Sequence, residues 1–365
     1  MSLHFDVIPT ATPVTAEDRA KMLADPGFGQ YFTDHMARAT WTVADGWHDG
    51  AVVGLEPVKM HPATAVLHYG QEIFEGLKAY RHADGSVWLF RPEINAARFA
   101  QSAHRLSLPE MSVDDFITSL EQLIEADRDW VPEPSGEGGE ESLYLRPFMF
   151  ADEVFLGVRA AQRVTYLCLA SPAGSYFASG LEPVSIWISR TYARSGPGGT
   201  GDAKCGGNYA ASLLAQTEAG QRGCSQVLFL DAAEHAYIEE LGGMNVFFVT
   251  SDGELLTPPL TGTILEGVTR SSLLQLAEDH GLTAVERQLP LVEILEGIAA
   301  GTIVEGFACG TAAVITPIKS LADETGTWTI GDGGPGRLTG ELRQQILDIQ
   351  FGRAEDVHGW LRRAG

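Results

Sequence analysis

The stretch SGPGGTGDAKCGGN, residues 195–208, places Lys204 in a glycine-rich loop directly ahead of a helix-forming run, YAASLLAQTEAGQRG (209–223). The chain holds only five lysines, Lys21, Lys59, Lys78, Lys204 and Lys319, against 20 arginines. A lysine in such a loop has three readings. A phosphate-binding Walker loop needs Gly before the lysine and Ser or Thr after it, but Ala203 and Cys205 stand there. A dinucleotide fingerprint fails as well, because GTGDAK lacks the third glycine. What remains chemically is a lysine that condenses with an aldehyde, an amine that must be neutral to attack and is tuned by burial and neighbouring charge. From the loop alone, an ordinary solvated lysine is the simpler reading.

Strand and helix patterns alternate over the 365 residues, enough for two domains each with its own core. Residues 15–25 read as a short helix. HMARATWTVADGWHDG (35–50) reads as one strand-like stretch ending in turn residues. The turn HADG (82–85) with its flanking apolar runs reads as a hairpin. INAARFAQSAHRL (94–106) and residues 112–129 have helical spacing. SLYLRPFMF and RVTYLCLAS are β-rich. SPAGSYFASGLEP (171–183) has the composition of a linker. The expected division is a small N-terminal α/β domain over 1–173, an interdomain loop over 174–183 and a larger domain over 184–365. In the second part, VSIWISR, QVLFLD, AYIEEL and MNVFFVT read as strands. SSLLQLAEDHGL is a helix that stops at Gly281, and FACGTAAVITPI is a strand–turn–strand element. No internal repeat is visible.

The formal charge is −23, from 25 basic and 48 acidic residues. A surface this acidic repels phosphate backbones, so no nucleic-acid partner is expected, and any anionic ligand needs a local positive site. No apolar run reaches the roughly 18 residues of a membrane helix, and MSLHFDVIPTATP lacks the pattern of a signal peptide. Cys168, Cys205, Cys224 and Cys309 form no CxxC pair, so neither a zinc site nor a disulfide framework is expected. These features together predict a cytoplasmic protein without a membrane partner or a metal.

The wider sequence decides the role of the lysine. GDAKCGGNYAASL (201–213), YIEELGGMNVFFV (237–249), LTPPLTGTILEGVTR (256–270) and ACGTAAVI (308–315) follow one another in the second half. FGQYFTDHM (28–36), LHYGQEIFEGLKAY (67–80), FRPEINAARF (90–99), LYLRP (143–147) and SPAGSYF (171–177) do so in the first. In this order the motifs resemble those of the branched-chain aminotransferases, α/β enzymes of fold type IV that depend on pyridoxal 5′-phosphate. The resemblance covers nearly the whole chain. It implies two α/β domains with the cofactor in the cleft between them, and a homodimer.

The resemblance also assigns roles. Lys204 is implied as the cofactor-bearing lysine and proton carrier, Glu240 as the partner of the pyridine nitrogen, and Tyr209 as the partner of the ring oxygen. Glu239 is the rival of Glu240 by residue type, and Tyr209 by itself is equally a packing residue. Arg98, Val268, Thr269 and Thr311 are implied at the phosphate, where N–H groups at a helix start suit an anion. An apolar substrate pocket is implied from Phe28, Tyr69, Phe74, Tyr144, Tyr176, Leu156 and Val158, with Tyr69, Leu156 and Val158 supplied by the partner subunit. The substrate carboxylate is implied at Thr311 and Ala312. Arg146 is implied to receive the charged side chain of glutamate. The substrates implied are L-leucine, L-isoleucine and L-valine, exchanging their amino group with 2-oxoglutarate. LHYGQEIFEGLKA and SPAGSYF argue against the D-amino-acid aminotransferases and aminodeoxychorismate lyases of the same fold. Two departures stand out. Some relatives carry a CxxC redox pair where Ala313 and Thr316 stand, so no such switch is expected, and Cys309 does not replace it. Gly243 stands where some relatives have threonine.

Overall fold

The computed structural model describes residues 2–136, 138–174 and 182–365. They form two compact units that interleave along the chain. Ala203–Gly206 and Leu347–Gly365 belong with the N-terminal residues, so the first unit takes in two pieces from beyond the expected interdomain loop. Most of that loop, 175–181, lies outside the described residues, and Tyr176 with it.

The first unit is built on a nine-stranded sheet. Its elements are β1 (Asp6–Val7), α1 (Ala16–Ala24), β2 (His35–Thr42), β3 (Gly46–Gly54), α2 (Val66–Tyr69), β4 (Glu72–Phe74), β5 (Leu77–Arg81), β6 (Val87–Phe90), α3 (Pro92–Arg105), α4 (Val113–Ala126), β7 (Ser142–Ala151) and β8 (Arg163–Ala173). The strand order is β1-β3-β2-β8-β7-β5-β6, with β4 on β7. The stretch 35–50 is two strands rather than one. Its turn residues close a hairpin, and β2 pairs with β3 from His35↔Gly54 to Thr42↔Gly46. The helices start where side chains satisfy the first N–H groups: the Thr15 hydroxyl caps α1 and the Ser112 hydroxyl caps α4. Apolar faces of α3 and α4 meet the sheet, where the Phe99 ring lies 5.2 Å from Phe116 and 5.9 Å from Tyr166. The buried Tyr166 hydroxyl is satisfied by Ser119 at 2.7 Å.

The second unit holds β9 (Val184–Ser189), α5 (which begins at Gly206 and ends at Gln221), β10 (Gln226–Leu230), β11 (Tyr237–Leu241), β12 (Asn245–Thr250), β13 (Glu254–Thr257), α6 (Val268–Asp279), β14 (Thr283–Glu286), β15 (Leu289–Pro290), α7 (Leu291–Ala300), β16 (Ile303–Gly310), β17 (Val314–Asp323), β18 (Gly326–Thr329) and most of α8 (Arg337–Gln350). Its sheet runs β14-β13-β12-β16-β17-β9-β10-β11-β15, with β18 on β17. The strands β9 and β10 pair in parallel and are apolar on both faces. Ile186, Ile188, Leu228 and Leu230 pack with Ile294 and Ile298 of α7. The intervening Trp187, Val227 and Phe229 pack with Ala215 and Ala219 of α5. This explains why these runs are continuously hydrophobic rather than alternating. A last strand, β19 (Leu361–Arg363), pairs with β6 of the first unit's sheet. Among the described residues, no helix is long and apolar enough to cross a membrane.

Candidate active site

In the first unit, Lys204 lies against one aromatic ring and close to one buried ion pair. Its Nζ sits 4.8 Å from the centre of the Phe74 ring, and the Arg146 guanidinium carbon sits 5.0 Å from the same ring. Arg146 also donates to the Tyr144 hydroxyl at 3.0 Å, and the edge of Phe28 meets Tyr144 at 5.0 Å. The rings of Phe74, Tyr144 and Phe28 therefore form a small aromatic enclosure around the Arg146 guanidinium, and the Lys204 amine lies on the Phe74 ring that bounds it. Such an enclosure suits an aliphatic side chain, while Arg146 gives a carboxylate a place beside it.

Gly76 makes that enclosure possible. A Cβ on it would fall 1.9 Å from the Tyr144 hydroxyl oxygen, so the glycine provides the space the tyrosine occupies. Gly76→Ala is expected to displace Tyr144 and, if the enclosure receives the substrate side chain, to lower kcat/KM on the order of 10- to 200-fold, the scale on which one misplaced methyl group acts in a specificity pocket. Steady-state kinetics checks this, and an unchanged kcat/KM contradicts it.

Beneath Lys204, Glu75 is completely buried. Arg98 of α3 binds it through two donors, Nε at 2.6 Å and Nη2 at 2.9 Å. Asn95 adds a third bond at 2.8 Å and the Gly76 N–H a fourth at 3.0 Å. Burial pushes the Glu75 carboxyl up, but Arg98, Lys204 and Asn95 outweigh it and hold the group below the usual carboxylate range. The two-point pairing fixes the plane of the Arg98 guanidinium. Sequence reasoning misses Glu75 although it lies inside EIFEGLKAY, because one glutamate in a strand carries no sign of burial.

In the second unit, Glu240 of β11 is buried and faces Arg194, Nη1 to Oε1 at 2.8 Å. The Leu265 N–H donates to the same oxygen at 3.0 Å, and Asn245 donates to the other at 3.2 Å. Its neighbour Glu239 points to the other side of the strand and accepts from the Thr263 hydroxyl at 2.5 Å. Burial raises the Glu239 carboxyl above its ordinary value. Neither Arg194 nor Asn245 is among the residues expected from the sequence, Arg194 because TYARSG carries no motif.

Thr269 and Val268 open α6, whose N-cap, Gly267, offers no side chain to the first N–H groups. A Cβ there would fall 2.1 Å from the Asn245 side-chain oxygen, so the same asparagine that steadies Glu240 also requires this glycine. The result is a helix start suited to an anion. Thr311 and Ala312 form the tight turn between β16 and β17, which closes on Val314 at φ 60°, a left-handed conformation that a β-branched residue rarely adopts. Tyr209 lies in the first turns of α5, and a Cβ at Gly243 would stand 3.7 Å from its ring, an ordinary contact. Ala313 and Thr316 are buried, and no CxxC stands there.

Tyr69, Leu156 and Val158, all in the first unit, are exposed apolar residues, Val158 at 85%. The Tyr69 hydroxyl donates to the Leu156 carbonyl, which joins α2 to the 153–158 loop.

The profile of the amino-transferase class IV family matches residues 72–321. The branched-chain-amino-acid aminotransferase of Mycolicibacterium smegmatis is 54% identical over 364 residues, which cover 99% of this chain and 98% of that one. A solved structure of the branched-chain amino acid aminotransferase from Thermobaculum terrenum, in its PLP form, aligns with a TM-score of 0.72 at 26% identity, covering 90% of this chain and 98% of that one. The crystal structure of the Escherichia coli branched-chain amino acid aminotransferase aligns at 0.73 with 29% identity, covering 90% of this chain and 100% of that one. The chain belongs to the class IV aminotransferases, and its relatives at 53–54% identity are branched-chain-amino-acid aminotransferases.

Proposed function

We propose that this protein is a pyridoxal-5′-phosphate-dependent aminotransferase that moves the amino group between L-leucine, L-isoleucine or L-valine and 2-oxoglutarate. The observation that carries the reading is the aromatic enclosure of Phe28, Phe74 and Tyr144 around Arg146, with the Lys204 amine on its Phe74 ring. It offers an amine, an apolar surface for a branched side chain and a guanidinium for the distal carboxylate of glutamate, so one pocket serves both substrates in turn. The reaction then runs as two half-reactions, the first 2-oxo acid leaving before the second substrate enters.

The donor set fits the cofactor. Lys204 offers an amine to its aldehyde. Arg98 and the uncapped start of α6, with Val268, Thr269 and Thr311, suit its phosphate. Glu240 suits its pyridine nitrogen, and Tyr209 suits its ring oxygen. When bound, the cofactor withdraws electrons from the substrate Cα. Around that chemistry the residues have separate tasks. Lys204 carries the proton between Cα and the accepting carbon. Glu240, held in place by Arg194, Asn245 and Leu265, would present its side-chain oxygens to the pyridine nitrogen and favour the protonated ring. The turn at Thr311 and Ala312 orients the α-carboxylate through backbone N–H groups. Cys309 takes no part, since burial holds its thiol far above the range where it ionises.

The protein acts as a homodimer in this reading. The exposed Tyr69, Leu156 and Val158 of one copy complete the pocket of the other, which explains apolar side chains left in solvent in a single chain. The protein works in the cytoplasm, consistent with four buried, unpaired cysteines. The test is a substrate panel: rapid glutamate formation from 2-oxoglutarate with L-leucine, L-isoleucine and L-valine, and none of comparable rate with D-alanine. Absence of activity with every branched L-amino acid overturns the proposal.

A further inference from the structure

The four residues Ala203–Gly206 belong to the first unit, although the chain on both sides of them belongs to the second. Three backbone bonds hold this short insertion. The Phe74 N–H donates to the Lys204 carbonyl at 2.9 Å. The Lys204 N–H donates to the Ser102 hydroxyl at 2.9 Å. The Gly206 N–H donates to a carboxylate oxygen of Glu72. Cys205 between them is buried in the first unit's core.

The two side chains in this set are placed for the purpose. Ser102 is completely buried and lies on the face of α3 that also carries Asn95 and Arg98, at spacings of three and four residues. A single polar stripe on one helix thus orients the carboxylate beneath the lysine and accepts from the lysine's own backbone. Glu72 starts β4, two residues before the ring that lies under the lysine amine. Gly206 is a glycine for the same reason: a Cβ there would fall 2.4 Å from the Glu72 oxygen. Burial raises the Glu72 carboxyl above the ordinary range, and the Gly206 N–H bond draws it only part of the way back.

We propose that Ser102 and Glu72 are positioning residues for Lys204: they fix the lysine's backbone on the first unit, so that its amine is held over Phe74 without either side chain touching substrate. This rests on the role given to Lys204 above. Loss of either anchor lets the lysine's backbone shift, and a displacement of about 1 Å in a reacting group costs on the order of 100-fold in rate.

The experiment compares Ser102→Ala, Glu72→Ala and Glu72→Gln with the parent protein in two measurements. In the protein free of cofactor, hydrogen exchange is followed by mass spectrometry on peptides that span 203–206. With pyridoxal 5′-phosphate added, kcat and KM are measured for L-leucine. The expected result is at least tenfold faster exchange in that segment and a kcat lowered between about 10- and 100-fold in both alanine variants, with KM for L-leucine within about twofold because the aromatic enclosure is untouched. Glu72→Gln keeps an acceptor for the Gly206 N–H and restores both readouts. The inference is overturned if kcat in the alanine variants matches the parent, whether or not exchange quickens. It is equally overturned if KM rises in step with the fall in kcat, or if Glu72→Gln behaves as Glu72→Ala. A parent protein without transaminase activity strikes instead at the proposed function, so the two failures are distinct.

Discussion

A Lys204→Ala protein is expected to fold normally and to lose transamination of L-leucine by roughly 10⁴-fold or more. Two losses combine. In the role proposed for Lys204, the amine that attaches the cofactor is gone, and so is the group that carries the proton, a role worth about 10²- to 10⁴-fold by itself. The fold should survive because the bonds that anchor this segment involve its backbone: the carbonyl accepts from Phe74 and the N–H donates to Ser102. The side chain contributes its place over the Phe74 ring. Three measurements check this: leucine-dependent glutamate formation, the thermal midpoint, and incorporation of a borohydride-stable label from pyridoxal 5′-phosphate. A variant that keeps most of its activity, or still takes up the label, contradicts the assignment of Lys204.

Glu75→Ala is expected to destabilise the first unit by about 3–5 kcal/mol, because it leaves the buried Arg98 guanidinium without its counter-charge. Transfer and cavity terms alone would not distinguish this position from other buried ones; the orphaned charge does. On the usual scaling for a unit of this size, the thermal midpoint falls by roughly 10 °C. With Arg98 at the phosphate as proposed, the variant is also expected to bind pyridoxal 5′-phosphate more weakly, since the plane of Arg98 is no longer fixed. The dependence on pH has a definite sign. The Glu75 carboxyl lies below its ordinary value in the folded protein. Its charge therefore contributes fully above the unfolded value of about 4.3, and the contribution fades as pH falls through the lower folded value. Denaturation of the parent and of Glu75→Gln, compared at neutral pH and under acid conditions, should show a stability gap that narrows on acidification. A gap of constant size would mean that Glu75 acts through shape alone.

These two residues mark what the sequence allows to be read. Lys204 is recognisable because glycines, a helix start and an unusual shortage of other lysines set it apart, and because ordered motifs surround it. Glu75 stands four residues after Gln71 in one of those motifs, yet nothing local marks it. Its importance comes from Arg98 and Asn95, 20 and more positions away, and a pairing across that distance leaves no local pattern. Arg194 is hidden for the same reason: its partner Glu240 is brought to it by the strand order of the second sheet. Elements behave similarly. The HADG hairpin is visible because a four-residue turn separates two apolar runs. The β2–β3 hairpin is concealed because Trp41 and Trp47 keep both flanks of its turn hydrophobic. The helix α7, LVEILEGIAA, escapes a reading from sequence, since a short and mostly apolar run is ambiguous between helix and strand.

The interleaving of the two units bears on how the molecule is made. The first unit's sheet lacks its β19 edge until residue 363 exists, and its core lacks Cys205 until well past the first 174 residues. Synthesis proceeds from the N-terminus, and domains generally fold as their chain is completed. The first unit to leave the ribosome is therefore the last to be finished. Its closing contacts join residues far apart in sequence, the kind that slow folding most. The second unit, contiguous from 207 to 346 apart from its opening strand and loop, can form while the first still waits for its final strand.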